Sequence, residues 1–396
     1  MNRKILVLNI GSTSFKFKLF AMGREENELA GGEVAGLGLP ESRCRLTAGS
    51  VCKETTAACA DHEQAFSWIE AFLTQSGCLS SWDALDAIGY KAVHGGTLRG
   101  SQRVDETVLT VMRQMSALAP AHNPVYLKVM ENIARYNPRI PQFVCFETAF
   151  HRTIPEHRRV YGVPYAWYRD LGIQRYGFHG ASHESVMLRL HTLDPMARRV
   201  ISLHLGGSSS VCAILDGSSI ACSMGATPQS GLLQNNRVGD FDVFCLPYLA
   251  AQFGEDVSAV LSQLASQSGL LGLSGVSSDM RILLKQAGAG YAQAELAIRA
   301  YVDGIVGYIG MFRAYLHGCD ALVFTGGIGC NSAVIRNRVC EQLSDWPVRL
   351  DLNRNSESQE GSIHDAASAV RVWCLEPREE WLVARKTWQC LQEENP

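Results

Sequence analysis

The chain has 396 residues, 46% of them hydrophobic and 19% charged, which is enough for two ordinary globular domains. A formal net charge of −3 lacks the basic footprint of a nucleic-acid binder, and no apolar run approaches the roughly 18 residues of a membrane span. No charged leader with an apolar core opens the sequence, and thirteen cysteines without a CxxC pair suit reduced thiols, so a cytoplasmic protein with no nucleic-acid or membrane partner is expected.

From Lys4 to Phe20 the sequence KILVLNIGSTSFKFKLF reads as an apolar strand, a Gly/Ser turn after Asn9, and a second strand that alternates as a half-buried strand should. Residues 21–60 are polar, Gly-rich and Thr/Ala-rich, which predicts short exposed strands and turns and carries no readable chemistry. EQAFSWIEAFLT, from Glu63 to Thr74, has helical spacing and precedes a strand over Ala84–Val93. That strand runs into Lys91-Ala92-Val93-His94-Gly95-Gly96, which either presents a cation and an imidazole to a ligand or is a surface lysine beside a plain turn.

Asp105 is placed to cap a helix reaching Leu118, the segment 119–124 breaks it, and Pro124 opens the next helix. A short strand over Gln142–Cys145 delivers Glu147, a carboxylate suited to act as a base or to orient a metal. His179 and His183 stand four apart with Gly180 between them, which favours a loop presenting His179 as a hydrogen-bonding group over a metal-binding helix.

ISLHLGGSSSVCAILDG, from Ile201 to Gly217, repeats the strand, Gly/Ser turn, strand pattern of the beginning. One such turn is either an ordinary hairpin tip or an anion cradle of backbone N–H groups and hydroxyls. Two copies point to a duplicated fold with two phosphate loops facing one cleft, the arrangement of sugar kinase, actin and Hsp70 type ATPases. Irregular polar segments follow at 223–228, 235–240 and 273–281, where function tends to sit. A long helix over Ala292–Leu316 carries Gly304, Gly307 and Gly310, small residues that would allow close helix packing. Ala321–Gly329 is a buried strand entering a Gly-rich turn, and Pro377–Gln392 forms a helix with Trp381, Ala384, Trp388 and Leu391 on one face. The helix dipole alone accounts for Glu379 and Glu380 in its first turn.

In colinear order LNIGSTSFK, VHGG, APAHNP, FETAFH, YGFHGASH, HLGGSSS, SMGATP, LGLSGVSSDMR, FTGGIG and EPREEWLVAR make the chain resemble the acetate kinase family over nearly its whole length. The resemblance implies an α/β fold of duplicated actin-like, ribonuclease H-like domains with a cleft between them. It places residues 1–150 with 375–396 in the first domain and 151–374 in the second, nucleotide-binding one. It implies reversible phosphoryl transfer from ATP to a small carboxylate, with magnesium (or manganese) as the metal, in a homodimer.

By position, Asn9 and Glu379 would hold the metal, and Ser12, Ser14 and Lys16 would form the first phosphate loop. Lys91, Glu147, His179 and Arg237 would act on the transferring group and its acceptor, with His122 close by. His204, Gly206, Gly207 and Ser208 would form the second phosphate loop, while Asp279, Met280, Arg281, Gly326, Gly327, Gly329 and Asn331 would border the nucleotide. Val93, Ala121, Phe178 and Pro228 would enclose the tail of the carboxylate.

Four departures from the family pattern bear on activity. Lys91 stands for arginine and Glu147 for aspartate; HLGNGSS reads HLGGSSS, and GTRxGDIDP reads NNRVGDFDV with Arg237 kept. Pairing of the longer Glu147 with Lys91 would preserve a kinase. Failure of that compensation would leave a catalytically impaired nucleotide binder, and a phosphotransferase with another donor or acceptor is the further alternative.

Overall fold

The hairpin at the start of the chain seeds a sheet whose central strand is covered on both sides. Strands β1 (Arg3–Ile10) and β2 (Ser14–Met22) pair antiparallel, with Asn9 opposite Lys16. They are joined by β3 (Glu26–Ala35), β4 (Ser42–Ala48), β5 (Val51–Ala57), β6 (Ala87–Ala92), β7 (Ser101–Arg103) and β8 (Gln142–Phe146) in the order β5-β4-β3-β2-β1-β6-β8-β7. The structure, a computed structural model, describes residues 2–120, 122–343, 346–357 and 360–394, so Ala121 lies outside the described residues.

Residues 21–60 correct the sequence reading. They form long strands, with β3 and β4 turning Ala30, Val34, Cys44 and Leu46 inward and β5 exposed throughout. Glycine, threonine and charged residues on the open face hide that alternation from a reading based on apolar periodicity.

Leu6 and Leu8 of β1 join Phe15, Phe17 and Leu19 of β2 against helices α1 (His62–Gln75), α2 (Glu106–Met115) and α3 (Asn123–Tyr136). Asp61 caps α1, Asp105 caps α2 through the Val108 N–H, and Pro124 sits in the first turn of α3. Ile5 and Val7 face the other way, onto Val383 and Ala384 of the C-terminal helix, Glu379–Glu394. Gly89 of β6 is required there, because a Cβ would collide with the Thr387 hydroxyl of that helix. The buried stripe of the helix runs through Val383, Ala384, Thr387 and Leu391, and Trp381 and Trp388 pack at its margin.

By its contacts the chain divides into two compact units, Met1–Arg152 with Arg378–Pro396, and Thr153–Pro377. The second unit repeats the arrangement of the first. Its strands β9 (Arg199–Leu205), β10 (Ser209–Leu215), β11 (Ser218–Cys222), β12 (Ala321–Thr325), β13 (Gly361–Ser362) and β14 (Arg371–Cys374) lie in the order β11-β10-β9-β12-β14-β13. In each sheet three antiparallel strands are followed by two parallel ones, β3-β2-β1-β6-β8 in the first and β11-β10-β9-β12-β14 in the second. This is the duplicated, actin-like α/β fold that the two Gly/Ser hairpins predict.

Ile201, Leu203 and Leu205 of β9 face the long helix Ala292–Leu316. The alternate residues of β9 face α4 (Gly180–Leu193), which packs on β9 and β12. Of the three glycines of the long helix, Gly304 meets Leu232, whereas Gly307 and Gly310 face open space and support no close packing. Among the described residues no helix is long and apolar enough to cross a membrane.

Candidate active site

In the first unit the ends of β1, β6 and β8 and the first turn of the C-terminal helix bring a lysine and three glutamates together with Asn9. The Lys91 ammonium forms an ion pair with Glu147 Oε1 at 3.0 Å and donates to Glu379, while Asn9 Nδ2 donates to Glu380 Oε1 at 3.2 Å. Tyr126 fixes the two strand ends, accepting from the Ile10 N–H at 2.8 Å and donating to the Lys91 carbonyl. Burial pulls the Lys91 ammonium down, but Glu147, Glu379 and Glu380 outweigh it and hold the group well above the ordinary lysine range. Glu380, to which the sequence reading gave no role beyond the helix dipole, is therefore part of the cluster with Glu379.

The first Gly/Ser turn is tied by the Gly11 N–H to the Ser14 carbonyl at 2.8 Å. Ser12 is exposed, Ser14 half-buried, and Lys16 lies on the open face of β2 within 3.5 Å of Glu33. Val93 follows β6 half-buried, and His122 stands at the N-terminus of α3. Asn123, fully buried, joins these two segments: it accepts from the His94 N–H and donates to the His94 carbonyl at 3.0 Å. Gly95 is fixed by the Phe146 ring, which would overlap any Cβ.

In the second unit His179 ends a loop in the left-handed region, with φ of 56°, and α4 begins at the next residue. Its ring stacks on His204, 4.1 Å between centroids at 23°, and its Nδ1 lies 2.8 Å from Ser210 Oγ. His183 is not part of that loop: it sits buried in the first turn of α4, and no group of three potential metal ligands occurs among the described residues.

Arg237 holds the second loop from below. One Nη donates to Ser208 Oγ at 3.2 Å, Gln234 Oε1 at 3.3 Å and the Pro228 carbonyl at 3.4 Å, and burial draws the guanidinium below its usual range. Ser208 donates in turn to Gln234 at 2.7 Å. Phe178 is buried beside His179, and Pro228 is half-buried.

A cavity of about 740 Å³ gathers Gly206, Gly207, Asp279, Met280, Arg281, Gly327 and Asn331. Asp279 caps the helix Met280–Gly288 and is bound by Arg281 at 2.5 and 3.0 Å, which lowers its carboxyl to about 2. Asn331 Nδ2 donates to the Gly327 carbonyl at 2.9 Å. Gly326 and Gly329 serve the cavity from behind. Gly326, at φ of 78°, would place a Cβ 2.7 Å from the Leu205 carbonyl, and Gly329 packs on Phe324 and Leu203. Arg336, fully buried, anchors this turn by donating to the carbonyls of Gly329 at 2.9 Å and Cys330 at 2.7 Å and to Asn355.

Asn235 also lines the cavity, and the sequence reading missed it. Its Nδ2 lies 3.5 Å from where a Gly207 Cβ would stand, and its amide makes no side-chain hydrogen bond among the described residues. Two departures taken jointly carry the signal: the asparagine absent at 207 reappears at 235, where the family pattern has glycine.

The acetokinase family profile matches residues 4–385. The acetate kinase of Shouchella clausii (strain KSM-K16) is 38% identical over 389 residues, 97% of this chain and 98% of its own. The propionate kinase of Citrobacter rodentium (strain ICC168) is 37% identical over 400 residues, 100% of this chain and 99% of its own. The crystal structure of Porphyromonas gingivalis acetate kinase matches with a TM-score of 0.89 at 35% identity, covering 98% of this chain and 100% of that one. A propionate kinase from Francisella tularensis subsp. tularensis SCHU S4 matches with a TM-score of 0.90 at 31% identity, covering 97% and 98%. With strand order, loops and full-length relatives in agreement, this chain belongs to the acetokinase family.

Proposed function

We propose that this protein is an ATP-dependent short-chain carboxylate kinase, transferring the terminal phosphoryl group of ATP reversibly to a small carboxylate to give an acyl phosphate and ADP. Arg237 carries the reading furthest. It is a half-buried guanidinium held by neutral acceptors, with no carboxylate in salt-bridge reach among the described residues, and such a cation is set for an anionic ligand.

An acceptor carboxylate oxygen attacks the terminal phosphorus, the bond to the bridging oxygen breaks, and the electron pair leaves with ADP. The nucleophile is already ionised, so the protein's task is alignment and charge stabilisation. Arg237 and His179 donate to the oxygens of the transferring group, and Gly207 and Ser208 offer backbone N–H groups to the phosphates, while the Gly206 N–H is held by Ser209 Oγ at 3.2 Å. Asp279, Met280, Arg281, Gly327 and Asn331 border the nucleoside, joined by the Asn235 amide. In the first unit Ser12, Ser14 and Lys16 bind phosphate, and Lys91, held by Glu147, orients the acceptor. His122, Val93, Phe178 and Pro228 bind the acceptor, together with Ala121.

The oxygens of Glu379 and Asn9 suit magnesium, a hard cation, and the bond from Asn9 Nδ2 to Glu380 leaves Asn9 Oδ1 without a partner among the described residues. Magnesium held there would neutralise phosphate charge. A second reading, nucleotide binding without turnover, is favoured by one observation: the Lys91 ammonium already lies on two carboxylates.

The test is hydroxylamine trapping of acyl phosphate from ATP, magnesium and carboxylates from acetate to valerate. Turnover establishes the kinase, whereas ATP binding by calorimetry without turnover in either the natural protein or Lys91→Arg establishes the second reading. Ala121 stands where the family pattern has leucine, and each methylene admitted is worth about 1 to 3 kcal/mol, so propionate or a longer acid should serve at least as well as acetate. A preference for acetate above about tenfold in kcat/KM would contradict this.

A homodimer and a cytoplasmic location complete the reading. The first is supported by helices α5 (Cys245–Phe253), which buries no residue, and α6 (Val257–Ser266), together exposing Tyr248, Phe253 and Leu261 beside Phe244. The second is supported by the scattered cysteines, most of them buried.

A further inference from the structure

Behind His179 lies a run of buried hydroxyls and imidazoles to which the phosphoryl transfer gives no part. Ser210 Oγ is 2.8 Å from His179 Nδ1 and 2.9 Å from His183 Nε2, and Ser202 Oγ is 2.8 Å from His183 Nδ1. Alongside, Ser182 Oγ is 2.7 Å from Nδ1 of His204, the ring stacked on His179. Ser182, His183, Ser202 and Ser210 are all fully buried.

The far end of this run sets its direction. Among the described residues the Ser202 hydroxyl has one hydrogen-bond partner, His183 Nδ1. A buried hydroxyl with one partner satisfies its hydrogen only by donating, and an idle lone pair is a smaller loss than an O–H with no acceptor. Ser202 therefore donates to His183 Nδ1, which places the hydrogen of His183 on Nε2. That N–H donates to Ser210, and the hydrogen of Ser210 then has one acceptor, His179 Nδ1. The hydrogen of His179 is left on Nε2. The same logic has Ser182 donating to His204 Nδ1 and puts the hydrogen of His204 on Nε2. A second hydrogen on His179 Nδ1 would reverse the run and strand the hydrogen of Ser202, so both rings stay neutral.

We infer that Ser202, His183 and Ser210 are positioning residues that hold His179 as the neutral Nε2–H tautomer, and that Ser182 does the same for His204. Each ring of the stacked pair thereby carries its hydrogen on Nε2, the form in which it can donate to an oxygen of an anion. That the anion is a phosphoryl group rests on the kinase reading; the tautomers do not.

The experiment is long-range proton–nitrogen correlation on the full chain with nitrogen-labelled histidine at pH 8, above the ordinary histidine range, the two rings being assigned by their loss in His179→Gln and His204→Gln. The expected result is the Nε2–H tautomer at both. An Nδ1–H tautomer or an imidazolium at His179 in the natural protein overturns the inference even if acyl phosphate is formed. Nε2–H at both rings with no acyl phosphate overturns the kinase instead and leaves the relay standing.

In Ser210→Ala the His179 signals should become a tautomer mixture, and kcat should fall about tenfold, less than the 10²–10³ lost with a whole transition-state donor. ATP affinity by calorimetry should stay within about twofold, and Ser210→Thr, which keeps the hydroxyl, should restore both tautomer and rate. An unchanged spectrum and an unchanged kcat in Ser210→Ala would overturn the positioning role. Should that variant fail to fold, the spectrum of the natural protein decides.

Discussion

Lys91 carries one positive charge where Glu147, Glu379 and Glu380 converge. Removing one partner of a mostly buried pair leaves the others uncompensated, so Lys91→Met should lose about 3 kcal/mol in denaturant unfolding at pH 8. The sign with pH follows from the groups involved. The folded-state value of Lys91 lies above its unfolded one, near 10.5, so its contribution is complete below that value and fades only as pH rises through the folded value. In the variant Glu147 and Glu379, both within reach of one ammonium in the natural protein, are left to repel each other, and acid relieves that repulsion. The deficit of Lys91→Met should therefore narrow as pH falls from about 8 to about 5, and a deficit that does not change would exclude the cluster as its source. Asn235 permits a second test. Asn235→Gly should weaken ATP binding by about tenfold, the worth of one hydrogen bond, and Gly207→Asn added to it should recover the affinity. Independent effects of the two changes would show that the amide at 235 does not replace one at 207. Arg237 entered only through the family resemblance. The turn at 206–208 was legible in the sequence because its glycines and serines mark it, and the loop that presents His179 because Gly180 interrupts the pattern. Glu380, Asn123 and Ser202 were not, since each acts through a partner far away in the chain and none sits in a recognisable local pattern.

At the scale of elements, both hairpins were legible because apolar strands bracket turns of small residues, and the caps at Asp105 and Pro124 because their chemistry is local. Strands β3 to β5 were not, since their pairing is decided by neighbours more than by their own composition. The C-terminal helix was legible as a helix and its buried stripe in part, through Ala384 and Leu391; small Gly89 on β6 admits Thr387 where two tryptophans had suggested the contact. Gly89→Ala should push that helix off the sheet and lose about 1 to 3 kcal/mol. Thr387→Ala removes the hydroxyl that the new methyl would meet and should recover much of the loss. If thermal unfolding shows no rescue, the strain lies elsewhere.

At the scale of the whole molecule, the repeated sheet order records a duplication that its two Gly/Ser turns announce. The apolar surface around α5 belongs to this scale too. Phe244 is 87% exposed and Tyr248 66%, and a second copy covering them would explain an apolar helix with nothing buried. Phe244→Glu with Tyr248→Glu should halve the mass seen by sedimentation equilibrium, and an unchanged dimer would move the interface elsewhere. The return of the C-terminal helix to the first unit also has a consequence for biosynthesis. Ile5, Val7 and Cys145 are made before the second unit, yet the residues that cover them, Val383 and Ala384, are made after the whole of it. Glu379 and Glu380 arrive on the same helix. A nascent chain can thus assemble the second sheet while the first remains bare on one face. Shielding from aggregation and completion of the lysine–glutamate cluster then come together, and only after the second unit has been made.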